Sequence, residues 1–116
     1  MKSFNPFQIA NVPVGGPVPF FILGPCALEN EPFAWQMARS LKEIADRTGI
    51  PFVFKASFDK ANRTSLDSPR GVGLEQALAV FEAVRREIGC PVLTDVHSEA
   101  QVEAVAGSVD VLQIPA

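Results

Sequence analysis

The sequence predicts an α/β fold built on a parallel sheet, and three observations carry that expectation. Four apolar runs, Phe20 to Leu23, Phe52 to Ala56, Val92 to Val96 and Val109 to Ile114, are near-continuous rather than alternating, which is the pattern of strands covered on both faces. Stretches with apolar residues three and four apart separate them. The glycine fingerprint of dinucleotide-binding sheets is missing after the first run, where Gly24-Pro25-Cys26-Ala27-Leu28-Glu29 stands instead. Of the two architectures that fit, an open doubly wound sheet and part of a (β/α)8 barrel, the barrel is therefore favoured.

Ahead of the first run, Phe7-Gln8-Ile9-Ala10-Asn11-Val12 and Val18-Pro19-Phe20 flank Gly15-Gly16, a turn signal that predicts a hairpin placed to plug the barrel floor. The first helix is expected to start at an Asn30 N-cap followed by Glu31-Pro32. It carries Phe33, Met37, Ala38, Leu41, Ile44 and Ala45 on its apolar side and stops at Gly49. The second carries Leu74, Ala77, Leu78, Phe81, Val84 and Ile88 and stops at Gly89. The third opens on Ser98-Glu99-Ala100-Gln101, a capping-box pattern, and ends at Gly107. Right-handed crossovers would lay all three helices on one side of a curling sheet.

A barrel needs about 250 residues. The chain, residues 1–116, is therefore expected to be the N-terminal half of a single barrel domain: a hairpin region over 1–18, four strands and three helices. A small complete four-stranded domain is the alternative.

Composition narrows the function. With 47% hydrophobic and 20% charged residues the chain is an ordinary globular one. A formal charge of −3 with scattered cations provides no global field for a polyphosphate backbone, so nucleic acid is not an expected partner. No apolar run approaches the ~20 residues of a membrane helix, and Met1-Lys2-Ser3-Phe4-Asn5-Pro6 lacks the apolar stretch of a secretory signal. The expected address is the cytoplasm, with no membrane partner. Cys26 follows the first strand and Cys90 precedes the third. A strand is ~17–20 Å long, far beyond the ~7 Å that bridged Cα atoms allow, so the two are not expected to pair, and Cys90 reads as a packing thiol.

In parallel α/β architectures ligands bind at the carboxyl ends of the strands. One segment there stands out. From Ser57 to Gly71 the chain has neither helical nor strand periodicity, and such loops beyond about 12–15 residues are usually functional or disordered. Between Lys55 and Arg70 the cations Lys55, Lys60, Arg63 and Arg70 outnumber the carboxylates Asp59 and Asp67, and Ser57, Asn62, Thr64, Ser65 and Ser68 add neutral hydrogen-bonding groups. That mixture suits phosphate or carboxylate. A solvated loop is the plainer alternative, against which Lys55 weighs, because an ammonium at the end of an apolar strand is hard to solvate. His97 fits a substrate contact or a solvated loop residue equally well.

Lys55-Ala56-Ser57-Phe58-Asp59-Lys60-Ala61-Asn62-Arg63-Thr64-Ser65, followed by Arg70-Gly71, Thr94-Asp95-Val96-His97 and Leu112-Gln113-Ile114-Pro115-Ala116, closely resembles the 3-deoxy-D-manno-octulosonate 8-phosphate synthase family. The resemblance runs from the first strand to the last residue. The sister family making the seven-carbon shikimate precursor has Lys-Pro-Arg-Thr at this place, so the Asn62 spacing separates the two.

The resemblance implies a homotetrameric (β/α)8 barrel, a transferase that condenses phosphoenolpyruvate with arabinose 5-phosphate and water and releases phosphate. The product is the precursor of an acidic sugar of Gram-negative lipopolysaccharide. By the same likeness, Lys55, Ser57 and Lys60 face the carboxylate and phosphate of phosphoenolpyruvate, with Gln113 and Ala116 at the same rim. Asn62, Arg63 and Thr64 are similar to the arabinose phosphate binders, on an arm that reaches a neighbouring subunit's site. Lys60 and Asp95 take the catalytic positions, Lys60 stabilising charge that develops on the leaving phosphate or carboxylate. Cys26 resembles the ligand of metal-dependent members, which implies a divalent ion of the Zn, Fe or Mn type, and no organic cofactor. The alternatives are a seven-carbon or sialic-acid-type synthase, or a catalytically silent phosphate-binding half-barrel.

Overall fold

In the computed structural model, which describes residues 5–58 and 73–115, the chain opens with an antiparallel hairpin. Strands β1 (Phe7–Ile9) and β2 (Val12–Val14) pair with Ile9 opposite Val12. The turn therefore falls at Ala10-Asn11 and not at Gly15-Gly16, with Ala10 in the left-handed region at φ 52°. That conformation costs an alanine roughly 1–2 kcal/mol. Burial of Val12, 4% exposed, in one cluster with Val53 and Leu93 offsets it. A turn at the glycines would have taken Val12 out of that register.

Four parallel strands follow in sequential order: β3 (Phe21–Leu23), β4 (Phe52–Lys55), β5 (Val92–Asp95) and β6 (Val111–Gln113). Each is shorter than its apolar run by at least one residue. The ends still bond sideways, Ala56 N–H donating to the Leu93 carbonyl at 3.3 Å and Val96 N–H to the Gln113 carbonyl at 3.1 Å.

Helix α1 (Glu31–Thr48) starts as its sequence predicts, the Asn30 side chain accepting from Phe33 N–H at 2.8 Å, and stops at Gly49 with φ 73°. Helix α2 (Leu74–Ala83) runs on into a π-helical turn, Val84–Ile88, closed by Gly89 at φ 85°, whose N–H donates to the Val84 carbonyl at 3.1 Å. Helix α3 (Glu99–Ala106) departs from the expected capping box. Ser98 is its N-cap, but the hydroxyl makes no capping bond. The Gln101 amide donates to the Ser98 carbonyl at 3.2 Å, and the Gln101 side chain reaches back one residue further to accept from His97 N–H at 2.8 Å. Gly107 ends this helix in a right-handed conformation, φ −72°.

All three helices pack on one face of the sheet. Ala34, Ala38 and Ala45 of α1, Ala77, Val80 and Phe81 of α2 and Val105 of α3 share one buried cluster with Phe52, Phe54 and Val92. Full burial of a Phe54- or Phe81-sized side chain contributes roughly 1.5–3 kcal/mol. The opposite face is covered by the hairpin instead: Val53, Leu93 and Val12, with Ile9, Phe20 and Val111 packed around them. A doubly wound sheet would carry helices on both faces, and the described residues do not. No helix among them is long and apolar enough to cross a membrane.

Two features hold the amino ends of the strands. Asp110 accepts from Val92 N–H at 2.9 Å and pairs with the Arg85 guanidinium at 3.3 Å. Cys90, 4% exposed, packs in the helix-side core, and burial pushes its thiol up from 9.0 to about 11.

Candidate functional site

Side chains alternate along a strand, and in-register neighbours of a parallel pair point the same way. Lys55 stands opposite Leu93, Leu93 opposite Val111 and Asp95 opposite Gln113. Lys55, Asp95 and Gln113 therefore share a face with Val53, Leu93 and Val111, the face that carries no helix. Each is the last residue of its strand. Three expected site residues thus converge at the carboxyl ends of adjacent strands, half-buried, with an apolar layer and the hairpin beneath them.

The backbone around them is tightly held. Thr94, fully buried on the helix side, donates its hydroxyl to the Ala56 carbonyl at 2.7 Å, so the peptide between Lys55 and Ser57 is tied to β5 through both Ala56 groups. The linear pattern assigns Thr94 no role. A lone threonine inside an apolar strand was the available signal, because a buried hydroxyl needs a partner. Ser57, 6% exposed, joins the next segment: its carbonyl accepts from Leu28 N–H at 2.8 Å and its N–H donates to the Cys26 carbonyl at 3.4 Å.

Asp95 has a close neighbour in His97. His97 Nε2 lies 3.3 Å from Asp95 Oδ2, with both side chains mostly buried. The Phe58 ring meets the imidazole edge-on at a centroid distance of 5.8 Å. Asp95 Oδ1 and His97 Nε2 are buried and make no hydrogen bond among the described residues. The solvated-loop reading of His97 is thereby set aside. Beside the pair, Val96, His97, Ser98, Glu99, Val102, Ile114 and Pro115 line a groove of about 300 Å³. A larger cavity, about 560 Å³, lies at the amino end of the strands around Arg85, Arg86 and Asp110, away from these groups.

Cys26 is an exposed free thiol beyond β3. Among the described residues no three His, Cys, Asp or Glu side chains come together as a metal site; this part of the chain offers a metal one thiolate donor and no completed set. Lys60, Asn62, Arg63, Thr64 and Ala116 lie outside the described residues.

The half-buried acid, amine and amide at one rim, together with the aspartate–histidine contact, suit an anionic substrate that must be oriented and exchange a proton. Comparison with known proteins supplies the family. The DAHP synthetase I family matches over residues 6–116. Relatives named 2-dehydro-3-deoxyphosphooctonate aldolase include one from Bartonella quintana, 53% identical over 110 residues, 94% of this chain and 40% of that protein. One from Methylococcus capsulatus is 51% identical over 115 residues, 98% of this chain and 41% of that protein. Another, from a Chelativorans species, is 60% identical over 95 residues, 82% of this chain and 34% of that protein. The chain thus spans about two fifths of the length of these relatives. With the hairpin, the parallel sheet and the three helices all inside the matched span, the chain belongs to the DAHP synthetase I family.

Proposed function

We propose that the complete protein carrying this chain condenses phosphoenolpyruvate with arabinose 5-phosphate and water to give 3-deoxy-D-manno-octulosonate 8-phosphate and phosphate, a step toward lipopolysaccharide. The observation that carries the reading is the convergence of Lys55, Asp95 and Gln113 on one rim, in a chain 51–60% identical to proteins named 2-dehydro-3-deoxyphosphooctonate aldolase. An eight-carbon 2-dehydro-3-deoxy acid phosphate is the sum of a three-carbon pyruvate unit and a five-carbon aldose phosphate, which is what the substrate pair supplies.

The substrates bring a carboxylate and two phosphates that repel one another, and holding them within bonding distance needs cations. In this reading Lys55, Ser57 and Lys60 bind phosphoenolpyruvate, Gln113 and Ala116 border it, and Asn62, Arg63 and Thr64 bind the aldose phosphate. Orientation of two reactants supplies on the order of 7–11 kcal/mol in favourable cases. The enol carbon attacks the sugar aldehyde, water adds to the neighbouring carbon, and the tetrahedral phosphohemiketal loses phosphate by carbon–oxygen cleavage. Asp95, whose buried Oδ1 makes no hydrogen bond among the described residues, takes a proton at the rim, and Lys60 steadies the leaving phosphate.

The same reading completes the fold. The parallel sheet has its two end strands in β3 and β6, and Phe21 and Ile22 of β3 and Ile114 just past β6 are 41%, 47% and 72% exposed. Further strands of a (β/α)8 barrel would cover them. A cytoplasmic homotetramer with the Arg63 arm entering a neighbouring site belongs to this proposal. So does a divalent ion of the Zn, Fe or Mn type, for which Cys26 offers one thiolate while the other donors come from elsewhere in the protein.

Phosphate release by the complete protein, supplied in turn with arabinose 5-phosphate, erythrose 4-phosphate and N-acetylmannosamine alongside phosphoenolpyruvate, tests the reading. Arabinose 5-phosphate is expected to be the preferred acceptor. Preference for either other aldose would replace the proposal with a sister synthase, and binding without turnover of any would leave a silent phosphate-binding protein.

A further inference from the structure

The sheet has an irregularity at its working rim. Leu23 pairs with Phe54, and Ala27 next bridges to Ser57. One segment advances four residues while the other advances three, so Gly24-Pro25-Cys26 contains one residue too many for regular pairing: a β-bulge, the device that re-aims side chains beside active sites. Cys26, an exposed thiol, lies within this bulge.

Gly24 is where the bulge leaves the strand, and it has no room for a side chain. A Cβ there would stand 1.7 Å from the Lys55 carbonyl oxygen, 2.7 Å from its carbon and 3.0 Å from the Lys55 nitrogen. These are backbone atoms of an inner strand. The residues on either side are tied to the next segment, Phe54 N–H donating to the Pro91 carbonyl at 2.8 Å and Ala56 N–H to the Leu93 carbonyl at 3.3 Å, so Lys55 cannot retreat without opening the β4–β5 pairing. The need at Gly24 is for space and not for left-handed backbone, since it is absent from the positive-φ glycines. At Gly16, by contrast, an added Cβ would have nothing within 4 Å.

We propose that Gly24 is a positioning residue for the anion site: its missing side chain lets the Gly24-Pro25-Cys26 bulge seat against the Lys55 peptide and so sets the point from which the Lys55 ammonium reaches phosphoenolpyruvate. The inference rests on the assignment of Lys55 to that anion under the proposed function. It adds that the edge segment, through backbone contact alone, controls the affinity of the neighbouring strand's cation.

The test uses the complete protein. Gly24→Ala must push the two segments apart, and a displacement near 1 Å at a binding group can cost up to roughly 10²-fold. The KM for phosphoenolpyruvate is expected to rise about tenfold or more, with that for arabinose 5-phosphate changed less than about twofold, whereas a merely structural defect would move both together. In a Lys55→Met background, itself weakened toward phosphoenolpyruvate, Gly24→Ala should add no further loss, because the two act through one ammonium. Gly16→Ala should leave both constants unchanged. Full additivity of the two substitutions, or an unchanged phosphoenolpyruvate constant in Gly24→Ala, overturns the Gly24 proposal alone. A Lys55→Met protein that binds phosphoenolpyruvate normally overturns the assignment of Lys55 instead. Should Gly24→Ala not fold, hydrogen exchange in the unsubstituted protein still decides: phosphoenolpyruvate should slow exchange of the Leu28 amide, which ties the bulge to Ser57, and an unchanged rate there counts against the coupling.

Discussion

Asp95 presents one carboxylate oxygen to His97 Nε2 at 3.3 Å and leaves the other buried with no hydrogen-bond partner among the described residues. A desolvated acceptor of this kind costs stability, of order 1–3 kcal/mol, and persists where it has another use. In Asp95→Asn the charge is removed while the shape is kept. We expect kcat of the complete protein to fall roughly 10²-fold while resistance to urea rises by about 1 kcal/mol. Steady-state kinetics beside a urea titration checks both; a variant that lost stability and kept its kcat would make Asp95 a structural residue.

Asp110 does the opposite work at the amino end, where its carboxylate satisfies Val92 N–H at 2.9 Å and pairs with Arg85 at 3.3 Å. Asp110→Ala orphans that amide and should destabilise the protein by about 2 kcal/mol. Because Asp110 lies at the other end of the strands from Asp95, KM values should not change. Chemical denaturation and kinetics on the same preparation separate the two effects.

The two thiols should behave differently. Cys26 is exposed and Cys90 buried, so a thiol reagent at pH 8 should label one equivalent rapidly and the second only as the protein opens. Burial raises the Cys90 thiol from 9.0 to about 11, with Lys42 opposing and Asp110 adding a smaller upward push. A raised thiol pKa favours the folded state below pH 9, where the thiol is neutral in both states. As pH rises from about 9 to 11 the unfolded chain loses its proton first, and that stabilisation, on the order of 3 kcal/mol, disappears. Cys90→Ala should flatten this alkaline decline, measured as unfolding midpoint against pH.

Asn30 caps α1 through a 2.8 Å bond from Phe33 N–H. Asn30→Ala should cost about 1 kcal/mol, and Asn30→Asp, which keeps the acceptor and adds a charge favourable to the helix N-terminus, should restore most of it. Thermal unfolding of the pair would show the difference; equal losses in both would mean that the cap contributes little.

Much of the architecture was legible because it depends on short-range pattern. Asn30, Pro32 and Gly49 delimit α1 by backbone geometry that neighbours impose, and the continuous apolar runs at Phe52 and Val92 announce strands covered on both faces. The hairpin turn is not where local preference puts it: two consecutive glycines outweigh Ala10, whereas the register that buries Val12 against Val53 and Leu93 involves residues far along the chain. The capping box at Ser98 was half right for a similar reason: the Gln101 side chain could serve Ser98 or His97, and the bend at His97 decided.

From the sequence by itself came the order of strands and helices, the expectation of a site at the carboxyl rim and the family whose motifs sit there, since periodicity, caps and contiguous motifs are properties of nearby residues. The tertiary structure alone decided that Lys55, Asp95 and Gln113 share the helix-free face, that Asp95 meets His97, that Asp110 holds Arg85 and Val92, and that Gly24 must stay bare beside Lys55. Apart from the Asp95–His97 contact, each of these depends on strand register and on close approach between segments distant along the chain, and a linear pattern does not specify which partner a strand will meet or how near it will come.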